Sequence, residues 1–235
     1  MQRSMVMRLS AASSERRATT ALRRVALTLF LVALVLGSAS AGLASAAHTK
    51  AYLYWTNYGV SGSGGTIGRA GLGGHGINEN FISGANGPVG IAVHGGYIYW
   101  SNPGIDVNSP GTTIGRARLN GTAVNQKFIT GASAPAGIGV HKNYIYWSND
   151  GSGQTGTTIG RANLDGTAVN EGFITGAHAP AGITVNGGYL YWSNFGNAHG
   201  INGSTIGRAR LSGAGVTQHF ITGAASPAGI TTTAG

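Results

Sequence analysis

The sequence contains no cysteine, and only 9% of its 235 residues are charged. The absence of cysteine excludes disulfide bonds, thiol nucleophiles and a lipid-modified amino-terminal cysteine. Only six residues are acidic, so the paired carboxylates that general acid–base chemistry needs are scarce. No G-x-S-x-G motif marks a serine nucleophile. We therefore assign no catalytic residue and expect no cofactor, and the sequence favours a protein that is not an enzyme.

The first 47 residues differ in composition from the rest. Six arginines precede an apolar run from Val25 to Leu36, which ends in small residues up to Ala47. This order is typical of a secretory signal peptide, and we predict cleavage near Ala46 or Ala47. The apolar run is shorter than the ~20 residues of a membrane-spanning helix. The arginine pair at 23–24 is compatible with twin-arginine export, and general secretion is the alternative. We predict a secreted, extracellular protein without a stable membrane anchor.

Charge also argues against nucleic-acid binding. Of the net charge of +9, residues 1–47 carry +5, from six arginines and one glutamate, which leaves +4 for residues 48–235. The remaining basic residues are spread along the chain, whereas a nucleic-acid interface needs a clustered basic face.

What the sequence does contain is a repeat built around tryptophan. The four tryptophans stand in Tyr-Trp-Ser/Thr-Asn segments and are 45, 47 and 45 residues apart. A period in the mid-forties is typical of a β-propeller, in which each repeat forms one four-stranded blade. We therefore predict an all-β propeller domain of four repeats over residues 48–235.

The second repeat shows four predicted strands, which we name A to D. Strand A covers 88–94 and is joined to strand B, 97–101, by the Gly95-Gly96 turn. Strand C covers 112–119, and strand D lies around 126–130. The B–C loops vary between repeats, whereas the strands agree. Ile-Gly-Arg-Ala recurs in every strand C.

These motifs resemble the YWTD repeat of low-density-lipoprotein-receptor class B propellers. They are also similar to secreted bacterial propellers of the virginiamycin B lyase type. The resemblance covers residues 51–233 and implies a propeller fold. This chain has Asn where the family has Asp, at Asn57, Asn102, Asn149 and Asn194.

The two ends of the repeat array complement each other. The first repeat lacks a strand A, and 227–233 read as a strand A with no strand B after it. We expect this last strand to pair with 51–56 and to close a four-bladed ring, because a closed ring leaves no open edge. The alternative is an open fragment of a larger propeller.

Propeller connectivity places the B–C and D–A loops on one rim, where we expect ligands to bind. The candidate residues there are Tyr58, Asp106, Asp150, His178, Phe195 and His199. The alternative interpretation is that these are solvated turn residues.

Two further sets of residues recur by position. His94, His141, Asn186 and Thr233 end the four A strands and could surround one mouth of the channel. They include no carboxylate, so we favour turn capping over a metal site and assign no metal. The recurring Arg69, Arg116, Arg161 and Arg208 could form an anion-binding ring, but we favour a structural role between blades.

Three functional hypotheses follow. The first is a secreted, non-enzymatic propeller that binds an extracellular protein, glycan or small ligand on the B–C/D–A rim. The second is a lyase or hydrolase similar to virginiamycin B lyase that uses His178 and His199. The third is a structural role as one segment of an assembly.

Overall fold

A computed structural model describes residues 50–59, 65–106, 108–196 and 202–233. All regular elements within these ranges are β-strands. No helix in the described ranges is long and apolar enough to cross a membrane. The predicted signal peptide, 1–47, lies outside the described residues.

Fifteen strands form four antiparallel sheets in chain order, one for each repeat. The first blade contains β1 (Tyr52–Asn57), β2 (Gly65–Gly71) and β3 (Asn78–Ala85). The second contains β4 (Ile91–His94), β5 (Tyr97–Asn102), β6 (Thr113–Arg118) and β7 (Asn125–Thr130). The third contains β8 (Pro135–His141), β9 (Tyr144–Asn149), β10 (Thr158–Asn163) and β11 (Asn170–Thr175). The fourth contains β12 (Pro180–Asn186), β13 (Tyr189–Gly196), β14 (Asn202–Arg210) and β15 (Thr217–Thr222). The predicted all-β propeller blades with strand order A-B-C-D are confirmed.

Strand B is the most deeply buried strand of an inner blade. In β5, Ile98, Trp100 and Ser101 are fully buried, and Tyr99 is 1% exposed. Successive side chains of a strand point to opposite faces, so this burial means that both faces of the sheet are covered by neighbouring blades. The run of β-branched and aromatic residues in strand B reflects this two-sided burial.

Each strand-B tryptophan lies flat against a glycine of strand C. A Cβ atom placed on Gly115 would lie 2.2 Å from Cε2 of Trp100, and the glycines equivalent to Gly115 show the same close approach to their tryptophans. The indole Nε1 of Trp100 donates to Oε1 of Gln126 on strand D at 3.0 Å. A register shift between strands C and D separates the pairs Ile114–Ile129 and Arg116–Asn125. This β-bulge adds residues to strand D beside the tryptophan.

Neighbouring blades pack through one recurring set of apolar residues. Between the second and third blades, Tyr99 and Ile129 pack in one cluster with Ile145 and Trp147. The third and fourth blades use the equivalent residues. Because each interface buries large apolar side chains on both sides, the blades stabilise one another.

The recurring arginines connect one blade to the next. The guanidinium carbon of Arg116 lies 4.7 Å from the ring centroid of Tyr97 and 3.9 Å from that of Phe128. Its Nη1 donates to the carbonyl of Leu164 in the next blade at 3.1 Å. Arg69 and Arg161 make equivalent contacts: each stacks on a tyrosine and a phenylalanine of its own blade and donates to a leucine carbonyl of the next blade. The predicted structural role between blades is confirmed for Arg69, Arg116 and Arg161, since each guanidinium stacks on aromatic rings and donates to a carbonyl of the next blade.

The predicted closure of the ring is wrong. β1 remains an edge strand of a three-stranded sheet, and 227–233 lie against the fourth blade. The amide of Gly182 and the hydroxyl of Ser193 each donate to the carbonyl of Ala228 at 2.8 Å. Ser148 likewise donates to Ala181 of the following blade, at 2.6 Å. The same hydrogen bonds that join a blade to the next strand A therefore hold this segment against the fourth blade, but it forms no ladder with β1.

Candidate functional site

A buried asparagine at the end of each inner strand B fixes the rim loops. The amide Nδ2 of Asn149 donates to Oγ1 of Thr158 at 2.9 Å and to a carboxylate oxygen of Glu171 at 3.1 Å. Its Oδ1 accepts the backbone amide of Ser133, in the D–A loop, at 3.0 Å. An aspartate could accept but could not donate. The asparagine at the end of strand B therefore both ties the blade together and anchors the adjacent loop.

One opening on this rim lies between the B–C loops of the second and third blades. We name it the rim cavity; its volume is about 490 Å³. Its side-chain walls include Tyr58, Asp106, Asp150 and Gln154, together with apolar Ile105. Three of the six residues predicted for the rim thus face one space. A cleft of this volume with apolar walls and a few polar groups is typical of a small-molecule site.

The two aspartates of the rim cavity differ in the hydrogen bonds that their carboxyl oxygens accept. Oδ1 of the exposed Asp106 accepts the backbone amides of Asn108 and Ser109, each at 2.8 Å, and so holds its own turn. Asp150 is partly buried, and its Oδ1 has no hydrogen-bond partner. Burial raises the pKa of Asp150 from its usual value to about 6. Asp150 is therefore the carboxyl group in this cavity that keeps an unused acceptor.

Sequence reasoning missed Gln154. This residue lies in the B–C loop of the third blade, lines the rim cavity and also lines a second, smaller cavity of about 220 Å³. Its φ of 61° is unusual for a residue with a side chain. The available signal was that Gln154 is the one long polar side chain in 151–157, where the other residues are glycine, serine and threonine.

The remaining rim candidates lie elsewhere. The exposed His178 lines the smaller cavity together with Gln154 and Gly196. Phe195 is partly exposed, and its backbone amide donates to the carbonyl of Ala179 at 3.2 Å. His199 lies outside the described residues. The structure therefore brings Tyr58, Asp106 and Asp150 together, and places His178 in a neighbouring cavity.

Three of the predicted channel-mouth residues, His94, His141 and Asn186, end the A strands of the second, third and fourth blades, and Thr233 lies outside the strands. His94 pairs with Tyr97 across the A–B turn of the second blade, and His141 pairs with Tyr144 across that of the third. Nδ2 of Asn186 donates to the carbonyl of Thr233 at 2.7 Å. Within the described part of the chain, no group of three or more histidine, aspartate or glutamate side chains is placed to hold a metal ion.

Comparisons with known proteins identify the fold alone. No protein-family model matches the chain, and no curated protein sequence matches it. A chain in the crystal structure of the nidogen/laminin complex is similar, with 22% identity and a TM-score of 0.52. The match covers 71% of this chain and 59% of that one. A gluconolactonase from Xanthomonas campestris is also similar, with 16% identity and a TM-score of 0.54 over 71% of this chain and 58% of that one. The chain thus spans less than two thirds of either structure, and the likeness shows a β-propeller.

Proposed function

We propose that this protein is a secreted, non-enzymatic propeller of the YWTD type that binds an extracellular ligand in the rim cavity. The observation that carries the proposal is the partly buried Asp150, which lines a cavity between variable loops and whose enclosed Oδ1 has no partner. An unpaired buried acceptor costs free energy unless a ligand or water satisfies it. A ligand in the cavity could donate a hydrogen bond to the carboxyl group of Asp150.

The chemistry of the walls narrows the ligand class. Asp150 and Gln154 offer hydrogen-bond acceptors, and Tyr58, Pro103, Ile105 and Pro110 offer apolar and aromatic surface. A sugar matches this combination, because its hydroxyl groups donate hydrogen bonds and its C–H faces pack on aromatic rings. We therefore favour a glycan, or a small molecule with several hydroxyl or amino groups, as the ligand, over a protein that would bind through a flat surface.

A binding screen with a matched variant tests this proposal. The purified protein is titrated with a panel of bacterial cell-wall and plant oligosaccharides and polyhydroxylated small molecules, by calorimetry. Asp150→Asn should weaken binding of the best ligand about tenfold or more, since a hydrogen bond to a charged group contributes about 1.5–3 kcal/mol. Asp165→Asn is the control, because Asp165 is exposed in a C–D turn that its side chain caps through Thr167.

Two results would overturn the proposal: no ligand in the panel binds, or Asp150→Asn and Asp165→Asn bind equally well.

The enzymatic hypothesis is tested in the same samples. His178 faces a cavity that shares Gln154 with the rim cavity, so a substrate could reach both. Turnover of a lactone or cyclic depsipeptide that disappears in His178→Ala would favour a lyase or hydrolase over a binding protein.

A further inference from the structure

The two end blades expose the residues that inner blades bury. Ile221 of the fourth blade is 51% exposed, whereas its equivalent Ile174 is 1% exposed. Leu53 of the first blade is 49% exposed, whereas its equivalent Leu190 is fully buried. We name the surface around Ile221 and Phe220 the trailing face, and the surface around Leu53 and Leu72 the leading face. Each face has the residues of one half of an inter-blade interface.

The polar contacts of the blade interface are also left open at these ends. In the first three blades, the strand-C arginine donates to the carbonyl of a leucine in the next blade: Leu119, Leu164 and Leu211. Arg208 of the fourth blade stacks on Tyr189 and Phe220, but it donates to no carbonyl among the described residues. The leucine at the equivalent position on the leading face is Leu72, which is 71% exposed.

The pairing of strand A with strand B is also incomplete at the two ends of the chain. The first sheet contains no strand A, so the edge of β1 is unpaired among the described residues. Residues 227–233 lie on the fourth blade where a following blade's strand A would lie, and they form no ladder with a described strand. In the fourth blade, strand A pairs with strand B through Ile183–Trp192 and Val185–Leu190. The equivalent pairs across the two ends are Ile230–Trp55 and Thr232–Leu53.

We propose that a second copy of this chain occupies these surfaces. The trailing face of one copy packs on the leading face of the other, and 228–233 of the first copy add to β1 of the second as its strand A. The contact continues an interface that the chain already forms three times, with the same residue types on each side. Addition of a strand to an open edge is a common mode of association.

The order of the blades supports this occupant. The strand-D residue that accepts the tryptophan Nε1 alternates as Glu79, Gln126, Glu171 and Gln218. At the proposed junction, the fourth blade, which has glutamine at this position, precedes the first blade of a second copy, which has glutamate. The second and third blades of one chain follow each other in the same order. The proposed contact therefore reproduces an interface that already exists within the chain.

The head-to-tail geometry of the contact, together with the number of blades in typical propellers, limits the number of copies. A head-to-tail contact joins two different surfaces, so it forms either a ring or an open fibre. Two copies with four sheets each supply eight blades, which lies at the upper end of the four to eight blades of typical propellers. We therefore infer a closed ring of two copies with two identical junctions.

Mass in solution tests this inference. The purified protein is measured by light scattering and sedimentation over a wide range of concentrations. A ring of two copies predicts twice the mass of the chain. A mass of one copy at every concentration, or of more than two copies, would contradict it.

Charged substitutions test which surfaces form the contact. Leu53→Asp and Ile221→Asp should each give single copies, because each places an unpaired charge in both junctions. Both side chains are about half exposed within one copy, so the fold of the monomer should persist. Val169→Asp is the control, since Val169 is 42% exposed and lies outside both faces. Two copies remaining in Leu53→Asp would overturn the proposal.

Mixing the two variants distinguishes a head-to-tail contact from a symmetric one. The Ile221→Asp copy keeps an intact leading face, and the Leu53→Asp copy keeps an intact trailing face. A mixture should therefore form a two-copy species through one intact junction, which neither variant forms alone. Only single copies in the mixture at all concentrations would contradict a head-to-tail contact.

Discussion

At the scale of single residues, the tryptophan depends on the glycine beneath it. The Ile-Gly-Arg-Ala motif recurs because an indole ring fills the space where a Cβ on the glycine would stand. The sequence shows the recurrence of both residues, but not their contact, because the contact depends on the register of strands B and C. That register pairs Trp100 with Gly115.

We predict that Gly115→Ala destabilises the protein. The new methyl group would lie about 2.2 Å from Cε2 of Trp100 and would force the indole or the strand to move. Overpacking of this kind costs about 1–3 kcal/mol, measured as the change in the free energy of unfolding in urea. Gly172→Ala is the control, because its Cβ would meet no atom closer than 3.9 Å. Equal effects of the two substitutions would contradict the account.

Part of the rim cavity could be predicted from single residues of the sequence. Tyr58, Asp106 and Asp150 were predicted to lie on one rim, and they line one cavity. The difference between the two aspartates could not be predicted, because it depends on the path of each loop. Asp106 folds onto its own backbone amides, whereas the loop after Asp150 buries the carboxyl group without giving Oδ1 a donor.

At the scale of elements, strand D links neighbouring blades. Nε2 of Gln126 donates to the carbonyl of Ser83 in the preceding blade at 2.8 Å, and Gln218 donates in the same way to Thr175 at 2.9 Å. Glu171 occupies the equivalent position but has no amide hydrogen, and its buried Oε1 has no partner. Burial raises the pKa of Glu171, although hydrogen bonds from Asn149 and Trp147 partly oppose the shift.

We predict that Glu171→Gln stabilises the protein by about 0.5–1.5 kcal/mol at pH 7, by adding a hydrogen bond to the carbonyl of Thr130. The gain should shrink in acid. Because the pKa of Glu171 is raised in the folded state, protonation stabilises the fold fully below the unfolded pKa, and this contribution is lost as the pH rises through the folded pKa. Melting temperatures of wild type and variant should converge as the pH falls.

The reverse substitution provides the control for this prediction. Gln126→Glu removes the donor to Ser83 and should destabilise the protein at pH 7 by a similar amount. An unchanged melting temperature in both variants would show that strand D does not link the blades in this way.

Element boundaries were predictable from the repeat. Strands B, C and D of the second blade were predicted at 97–101, 112–119 and around 126–130, and they occur within one or two residues of these limits. Strand A of that blade was predicted from 88 and begins at Ile91. The bulge in strand D was not predicted, because it arises from the pairing between strands C and D.

At the scale of the whole molecule, sequence reasoning gave the blades but not their closure. The complementary ends suggested a four-bladed ring, since 227–233 have the pattern of a missing strand A. A sequence pattern does not contain the angle between blades. The hydrogen bonds to Ala228 hold this segment against the fourth blade, and it forms no ladder with β1. The same complementarity now favours a partner, because a second copy presents the edge that the chain's own first blade does not bring to it.

The most direct test of the central claim is ligand binding as a function of pH. Binding of the best oligosaccharide or polyhydroxylated ligand is measured by calorimetry from pH 7.5 to 4.5, for wild type and Asp150→Asn. Because the pKa of Asp150 is raised to about 6, we predict that wild-type affinity falls as the pH drops through this value and the carboxylate is protonated. The variant should bind weakly at every pH. A wild-type affinity that does not change over this range, or that changes equally in Asp150→Asn, would contradict binding through Asp150.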